Sequence, residues 1–143
     1  MAVKVYSQDE VSVNIAGNPI DGGRGDDEFI SITQNEDDFT AKSGVDGEVT
    51  RSRNKNRITR IVLTLQATSA SNDILSAIHN LDLKTDGGSG IFPIQVRDRA
   101  GTQVFIAPEA WIVKAPDLKF AKESGQTPWL IDCAEPERFD GGH

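Results

Sequence analysis

The sequence has few of the residues that catalysis and metal binding most often require. It contains one cysteine and two histidines among 143 residues. A single cysteine excludes an intrachain disulfide framework and a cysteine zinc cluster. His79 and His143 are far apart in the chain, and neither has a histidine or cysteine partner at ligand spacing. We therefore expect no metal site, and we expect a protein that folds in a reducing cytoplasm.

Long apolar runs and the usual catalytic motifs are missing as well. The longest uncharged apolar stretch, IVLTLQA at 61–67, is too short to span a bilayer, and the first residues lack the apolar region of a signal peptide. GGRG and GGSG have neither the spacing nor the strand-to-helix setting of a dinucleotide-binding loop, and GxSxG does not occur. We therefore expect no enzyme activity, no cofactor and no membrane span.

The charge balance argues against general affinity for nucleic acid. The formal net charge is -7, whereas binding to phosphate backbones needs clustered cationic groups that displace counterions. Hydrophobic residues make up 37% and charged residues 26%, which is typical of a globular chain. The length predicts one domain, residues 1–143.

Alternating apolar and polar residues indicate β-strands along most of the chain. Because these segments follow one another in runs and do not alternate with helices, the sheets should be antiparallel. Strands are predicted at 3–7, 11–17, 29–35, 61–67, 92–98, 102–107, 109–115, 118–124 and 128–134.

One helix is predicted in the middle of the chain. In NDILSAIHNLDL, residues 72–83, the apolar side chains recur at the spacing of one buried helical stripe. The stripe consists of Ile74, Leu75, Ile78 and Leu81. His79, beside this stripe, is predicted to be a half-exposed helix residue and not a base or ligand.

The aromatic residues and the cysteine are predicted to pack in the core. Trp111 and Trp129 lie in strand-like segments, and a stacking platform would need further exposed aromatic residues. In a strand, Cys133 would lie on the same face as Trp129 and Ile131, since the three are spaced two residues apart. Its thiol should therefore be buried and inert.

A basic stripe, EVTRSRNKNRITR at 48–60, is the charged segment with the most informative layout. Up to residue 57 its cations recur at every second position, so an extended chain would put them on one side with Val49. If the chain instead turns at 54–56, Arg53 and Arg57 face each other across a hairpin. Like charges repel in both arrangements, so solvent, a polyanion or carboxylates must offset them. The stripe consists of Arg51, Arg53, Lys55, Arg57 and Arg60.

An acidic segment precedes the stripe. The acids nearest to it are Glu36, Asp37, Asp38, Asp46 and Glu48, and the Asp46-Gly47 dipeptide is typical of a tight turn. Acidic and basic segments on one chain suit a head-to-tail contact between copies, in which the positive patch of one copy meets the negative patch of the next. The other interpretation is a solvated hairpin whose charges only maintain solubility. Contact with nucleic acid is the least favoured.

Several motifs, in order along nearly the whole chain, resemble the tail tube proteins of contractile-tailed bacteriophages. They are NEDDFT at 35–40, GVDGEVTR at 44–51 and TLQATSASNDILSA at 64–77, followed by EAWI, WLIDCA and the closing FDGGH. The resemblance implies a mainly β fold, an antiparallel β-sandwich or barrel-like structure with one flanking α-helix, about 72–83. It also implies a long projecting hairpin or loop, about 37–60, that makes contacts between rings.

The function implied by the resemblance is structural. Hexameric rings would join their sheets and stack head to tail into the inner tail tube, through which phage DNA leaves the capsid without specific binding. The implied partners are further copies of the chain, the tail sheath, baseplate or tail-initiator proteins and tail-terminator proteins. The implied location is the virion tail, assembled in the host bacterial cytoplasm. The alternative is a monomeric β-sandwich module of a phage tail that binds a receptor or nucleic acid.

Overall fold

Antiparallel strands dominate the computed structural model, which describes residues 3, 10–20, 29–87, 90–123 and 125–142. The predicted mainly β, antiparallel class with a single helix is confirmed across these residues. The elements are β1 (Val11–Ile15), β2 (Asn18–Pro19), β3 (Ile30–Gln34), β4 (Phe39–Ser43), β5 (Val49–Arg53), β6 (Thr59–Gln66), α1 (Ser71–Lys84), β7 (Phe92–Asp98), β8 (Val104–Lys114), β9 (Gln126–Ala134) and β10 (Glu137–Phe139).

The main sheet has one buried face. Its strands lie in the order β2-β1-β7-β8-β9-β6-β3, with β10 paired to β8, while β4 and β5 form a separate two-stranded sheet. In β1, β6 and β7 every second residue is buried, as a half-buried antiparallel strand requires. A sheet buries one face against helices, against a second sheet or by curving on itself. Among the described residues α1 supplies one fully buried apolar side chain, Leu75, and β4 and β5 supply none, so the sheet covers most of this face by curving around its own side chains. The core therefore lies inside the curve and is completed by Leu75 of α1.

One strand, β8 (Val104–Lys114), forms where two strands, 102–107 and 109–115, were predicted. The ladder between β7 and β8 passes from the pair Ile94–Ala107 to the pair Phe92–Ala110, which is a β-bulge. Pro108 lies inside the bulge, where the regular ladder is interrupted. Proline lacks an N–H and is tolerated at such a position, so it bends β8 without ending it.

Two other predictions were wrong. Residues 118–124 were predicted to form a strand, but the described part of this segment, 118–123, forms none and its side chains are exposed. Leu81 was predicted to be buried, but it is exposed because only the first half of α1 reaches the core, through Leu75 and Ile78. The strand predicted at 3–7 falls mostly outside the described residues. The strands β2 and β10 are short and were not predicted.

Asn72 fixes the helix to the sheet. Its Nδ2 donates to the carbonyl oxygens of Gln66 (2.9 Å) and Ser69 (3.1 Å), at the end of β6 and in the connection to α1. Its Oδ1 accepts hydrogen bonds from Thr127 Oγ1 (2.8 Å) and from the buried Trp129 Nε1 (2.9 Å). One amide group thus satisfies polar atoms of two strands and a turn.

We expect Asn72→Ala to lower the free energy of unfolding by about 1–3 kcal/mol, because it leaves the buried Trp129 N–H without its acceptor. Chemical denaturation followed by Trp fluorescence measures this loss. Asn80→Ala is the matched control, since Asn80 is exposed on the same helix. Equal stability of the two variants would contradict the role of Asn72.

Cys133 is buried, as predicted. Its Sγ donates to the carbonyl oxygen of Thr59 (3.4 Å), and burial raises the pKa of the thiol to about 11. The pKa is thus above the ordinary value of 9.0. The folded state consequently holds a proton that the unfolded chain loses between these two values. The contribution of this neutral thiol to stability is complete below pH 9 and is lost as the pH rises towards 11.

We expect the free energy of unfolding to fall more steeply with pH for the wild type than for Cys133→Ala between pH 9 and pH 11, the interval between the two pKa values. Urea denaturation at several pH values compares the two slopes. The cavity made by the substitution shifts the variant's curve by a constant amount and leaves its slope alone. Parallel curves would contradict the raised pKa.

Candidate assembly surface

The residues of the basic stripe fall into three structural settings. Arg51 and Arg53 lie on β5, Lys55 and Arg57 lie in the connection between β5 and β6, and Arg60 lies on β6 of the main sheet. The first four are exposed. The predicted projecting hairpin is present, and its strands pair over 39–53.

Strand pairing gives the hairpin two different faces. Phe39 is opposite Arg53, Ala41 is opposite Arg51, and Ser43 is opposite Val49. Opposite residues share a face of an antiparallel pair, so this face, which we call the cationic face, is apolar and positively charged. The other face carries Thr40, Lys42, Thr50 and Ser52. All ten strand residues are exposed.

The cationic face is ordered by its own side chains. The Arg51 guanidinium carbon lies 4.3 Å from the centroid of the Phe39 ring. A cation over an aromatic face contributes about 0.5–1 kcal/mol at an exposed site. The contact holds the guanidinium against the hairpin, and the face is therefore partly organised before anything binds to it.

The connection after β5 is neither an extended continuation of the strand nor a hairpin. Asn54 Oδ1 accepts from the N–H of Asn56 (3.0 Å), and Asn56 Oδ1 accepts from the N–H of Ile58 (3.3 Å). These side-chain turns carry the chain from β5 to β6. Lys55 and Arg57 therefore lie beyond the β4–β5 ladder, and neither of the two arrangements considered for the stripe is formed along its whole length.

The five acids lie at the two ends of the hairpin. Glu36, Asp37 and Asp38 precede β4, at the base; Asp46 and Glu48 lie at the tip. The tip is a tight turn as predicted, in which Gly47 has φ +86° and Asp46 Oδ1 accepts from the N–H of Glu48 (3.3 Å).

Two of the acids at the base accept hydrogen bonds from uncharged side-chain amides. Glu36 Oε2 accepts from Asn54 Nδ2 and Asp38 Oδ1 accepts from Gln34 Nε2, both at 2.6 Å. Within the described residues no salt bridge joins an acid of the hairpin to one of its cations. Among these residues the hairpin's acids and bases are thus exposed and form no ion pairs with one another.

Arg60 differs from the rest of the stripe because its charge is balanced inside the chain. Its Nε and Nη2 donate to the two carboxylate oxygens of Asp132, at 2.9 and 3.3 Å. This hydrogen-bonded pairing raises the pKa of Arg60 above its ordinary value. Arg60 and Asp132 are cross-strand partners on the outer face of the sheet, and Asp132 is in turn opposite Trp111. Trp111 is half-buried there, whereas Trp129 lies in the core as predicted.

The described residues contain little else that could form a site. None of their helices is long and apolar enough to cross a membrane. No group of three or more histidines, cysteines or acids among them is arranged to hold a metal ion. His79 is half-buried on α1, and Cys133 is buried. Sequence reasoning missed a second set of exposed apolar residues, at 81–91 and 118–120, because periodicity suggested burial or a strand there.

Comparison with known proteins defines the class. Residues 3–140 match the family of the bacteriophage PhiTE tail tube protein. A structural protein, ORF10, of Pseudomonas phage KPP10 is 29% identical over 121 residues, which cover 85% of this chain and 70% of that protein. The chain belongs to this family of phage tail tube proteins and is thus a structural component of a phage tail.

Solved structures of injection machines have the same fold. One chain from the structure of the sheath–tube complex of an extracellular contractile injection system, PVC, aligns with this protein with a TM-score of 0.61 at 12% identity. The alignment covers 93% of this chain and 90% of that chain. The sheath/tube terminator of that system aligns with a TM-score of 0.60 at 11% identity, covering 98% and 100%. The tube-terminating cap of the anti-feeding prophage aligns with a TM-score of 0.59 at 12% identity, covering 97% and 94%. At these identities the likeness is one of fold.

We expect Arg60→Ala to lower the melting temperature of the unassembled protein, because Asp132 then keeps a largely buried carboxylate without its cation. Arg57→Ala, three residues earlier and at a residue with no ion pair to the described part of the chain, should leave the melting temperature unchanged. Differential scanning calorimetry compares them. If both variants melt together, Arg60 is not the structural member of the stripe.

Proposed function

We propose that this protein is the building block of the inner tube of a phage tail. Copies form hexameric rings that stack head to tail, and the hairpin makes the contact between rings. DNA leaves the capsid through the tube without specific binding. The observation that carries this proposal is the hairpin itself: its ten strand residues are exposed, one face is apolar and cationic, and none of the ten belongs to the core formed by the described residues.

The hairpin needs a partner for its stability. An isolated two-stranded hairpin is marginal in water, and among the strands that the structure describes β4 and β5 pair only with each other. Phe39, Val49 and the tip residue Val45 expose large apolar side chains. Docking the cationic face on a second copy would remove this apolar surface from water.

The charges suit a contact between copies. Between residues 36 and 57, five acids are matched by five bases, so the net charge of -7 belongs to the rest of the chain. The bases Arg51 and Arg53 lie along the hairpin, and the acids Asp46 and Glu48 lie at its tip. A head-to-tail arrangement in which tip acids meet the cationic face of the next ring repeats indefinitely, as a tube requires.

The edges of the main sheet and the charge of the chain support ring formation and DNA passage. The outermost strands of this sheet, β2 and β3, each have one edge without a partner strand in the described residues. Joining sheets between copies would cover these edges. A bore lined by a protein with excess negative charge repels phosphates, so DNA slides and does not bind.

The remaining roles follow from membership of a tail. We propose that residues 1–143 act as one tail-tube domain without catalytic activity or cofactor. Its partners are the sheath around the tube, baseplate or tail-initiator proteins at one end and tail-terminator proteins at the other. The neighbouring folds from sheath–tube and terminator complexes support these partners. Assembly would take place in the host cytoplasm.

We expect Arg51→Glu/Arg53→Glu to prevent tube formation while the monomer stays folded, because the contact then brings acids together. Electron microscopy with negative stain measures assembly, and circular dichroism measures folding. Normal tubes from this variant would refute the role of the cationic face. A wild type that stays monomeric at high concentration would favour the monomeric binding module.

Two controls test which face docks and what it meets. Single Arg51→Glu should impair assembly more than Lys42→Glu, which makes the same charge change on the opposite face of the hairpin. The tip variant Asp46→Arg/Glu48→Arg should also form no tubes by itself, since its basic tip then meets the basic cationic face of the next ring. A mixture of this variant with Arg51→Glu/Arg53→Glu should form tubes again, because rings of the two variants can alternate and each tip then meets a face of opposite charge.

A further inference from the structure

Residues 135–142, which we call the C-terminal arm, follow β9 and lie along β8. The strand of the arm, β10, continues β9 on the same side of β8. Ala134, at the end of β9, is opposite Glu109. Glu137, at the start of β10, is opposite Ile106, so the register is kept across the gap between the two strands. The first part of β8 therefore has β7 on one side and the arm on the other.

The gap between β9 and β10 is a strained step of the chain. Glu135 has φ +36°, in the left-handed region that a residue other than glycine occupies only at a steric cost. Pro136 follows it and has no N–H to donate to β8. Pro108, which also lacks an N–H, is the residue that the register places opposite Glu135. The ladder is interrupted here, and we call residues 135 and 136 the hinge.

Hydrogen bonds attach the arm beyond the hinge. Asp140 Oδ1 accepts from Gln103 Nε2 (2.7 Å), and the carbonyl oxygen of Gly142 accepts from the N–H of Thr102 (2.9 Å). All three residues of β10 are exposed, including Phe139. None of the arm's residues belongs to the core formed by the described part of the chain. The arm can therefore leave β8 without opening the core.

An arm that leaves β8 uncovers a sheet edge. Residues 104–106 would then present backbone N–H and C=O groups that can pair with a strand of another chain. The same arm from a second copy fits this edge, because it restores the ladder and the bonds to Gln103 and Thr102. Exchange thus keeps the contacts of the arm and also lets Glu135 leave the left-handed region. It is therefore favoured between copies that are already side by side.

We propose that the C-terminal arm is exchanged between neighbouring copies, so that the arm of each copy pairs with β8 of the next. Exchange of an identical element is a low-cost route to association. The three residue steps from Ala134 to Glu137 reach at most about 11 Å, so the two sheets must lie side by side. The inference rests on the proposed self-assembly but concerns a different surface. The hairpin joins one ring to the next, whereas the arm joins neighbours within a ring.

Cysteine cross-linking distinguishes an exchanged arm from an arm that stays on its own chain. Val104 and Phe139 are cross-strand partners, at a Cα spacing that suits a disulfide, and the native Cys133 is buried. The variant Val104→Cys/Phe139→Cys is assembled under reducing conditions and then oxidised. A denaturing gel should show series of several covalently linked chains, because each disulfide joins two copies. Assembled rings that give only internally linked single chains would overturn the proposal.

Oxidation before assembly tests whether the arm has to move. The same variant, oxidised as a dilute monomer, has its arm locked on its own β8. The locked protein should need at least a tenfold higher concentration to form rings, and a reductant should remove the difference. Asn14→Cys/Gln95→Cys, a cross-strand pair of β1 and β7, is the matched control and should assemble alike in both redox states. Unchanged assembly of the locked protein would contradict the exchange.

A third measurement needs no cross-link. Glycine adopts a positive φ without steric cost, so Glu135→Gly should hold the arm on its own β8 more firmly. The protein concentration needed for ring formation should then rise about fivefold. Glu135→Gln removes the same charge but keeps a side chain in the left-handed region, and it should leave that concentration unchanged. Equal effects of the two substitutions would overturn the proposal.

The outcomes also separate the two proposals. Rings that form and stack while each arm stays on its own β8 contradict only the exchange. Rings with exchanged arms that do not stack in Arg51→Glu/Arg53→Glu support both. A wild type that forms no rings at all overturns both.

Discussion

The burial of a single sheet face is the constraint on which the rest of the structure depends. From β1 to β9 the long strands of the main sheet turn every second side chain towards one core, and the sheet has to curve to keep water out of it. A helix is needed only where the curve leaves a gap, and α1 fills it with Leu75 and the partly buried Ile78. Asn72 adds hydrogen bonds that anchor this helix, since none of its described residues after Ile78 belongs to the core.

A core that is complete within the sheet leaves other segments without one. The β4–β5 hairpin, the β8–β9 connection and the end of α1 all project apolar side chains, and each does so beside charged residues. Such surfaces are costly on a protein that stays alone and useful on one that polymerises. The basic stripe divides in the same way. Arg60 lies on the sheet and is neutralised by Asp132, while Arg51 and Arg53 on the hairpin form no salt bridge with any acid among the described residues.

The sequence predicted the elements that strict alternation determines. The strands around Val13, Leu63 and Ile94, the Asp46-Gly47 turn and the burial of Cys133 all follow from local pattern and turn chemistry, and they are confirmed. Periodicity failed where tertiary contact decides the outcome. Leu81 has helical spacing but is exposed, and 118–123 alternates but pairs with none of the described strands. Pro108 lies in a bulge that only the register with β7 creates. Of the candidate site, the exposed hairpin was foreseeable, whereas the pairing of Arg60 with Asp132 needed the strand order.

The base of the hairpin has a mechanical consequence. Two short spans connect the hairpin to the sheet. Among the described residues they are linked by backbone hydrogen bonds, from Asn35 to Ile58 and from Asn54 to Asp38, and by the amide–carboxylate hydrogen bonds at the base. A joint of this kind sets a preferred angle but yields to small forces, because a polar contact can exchange with water as it stretches. In a stack of rings held together by such joints, bending would be taken up between rings while each curved sheet stays rigid. The tube would then behave as a chain of stiff segments with elastic couplings.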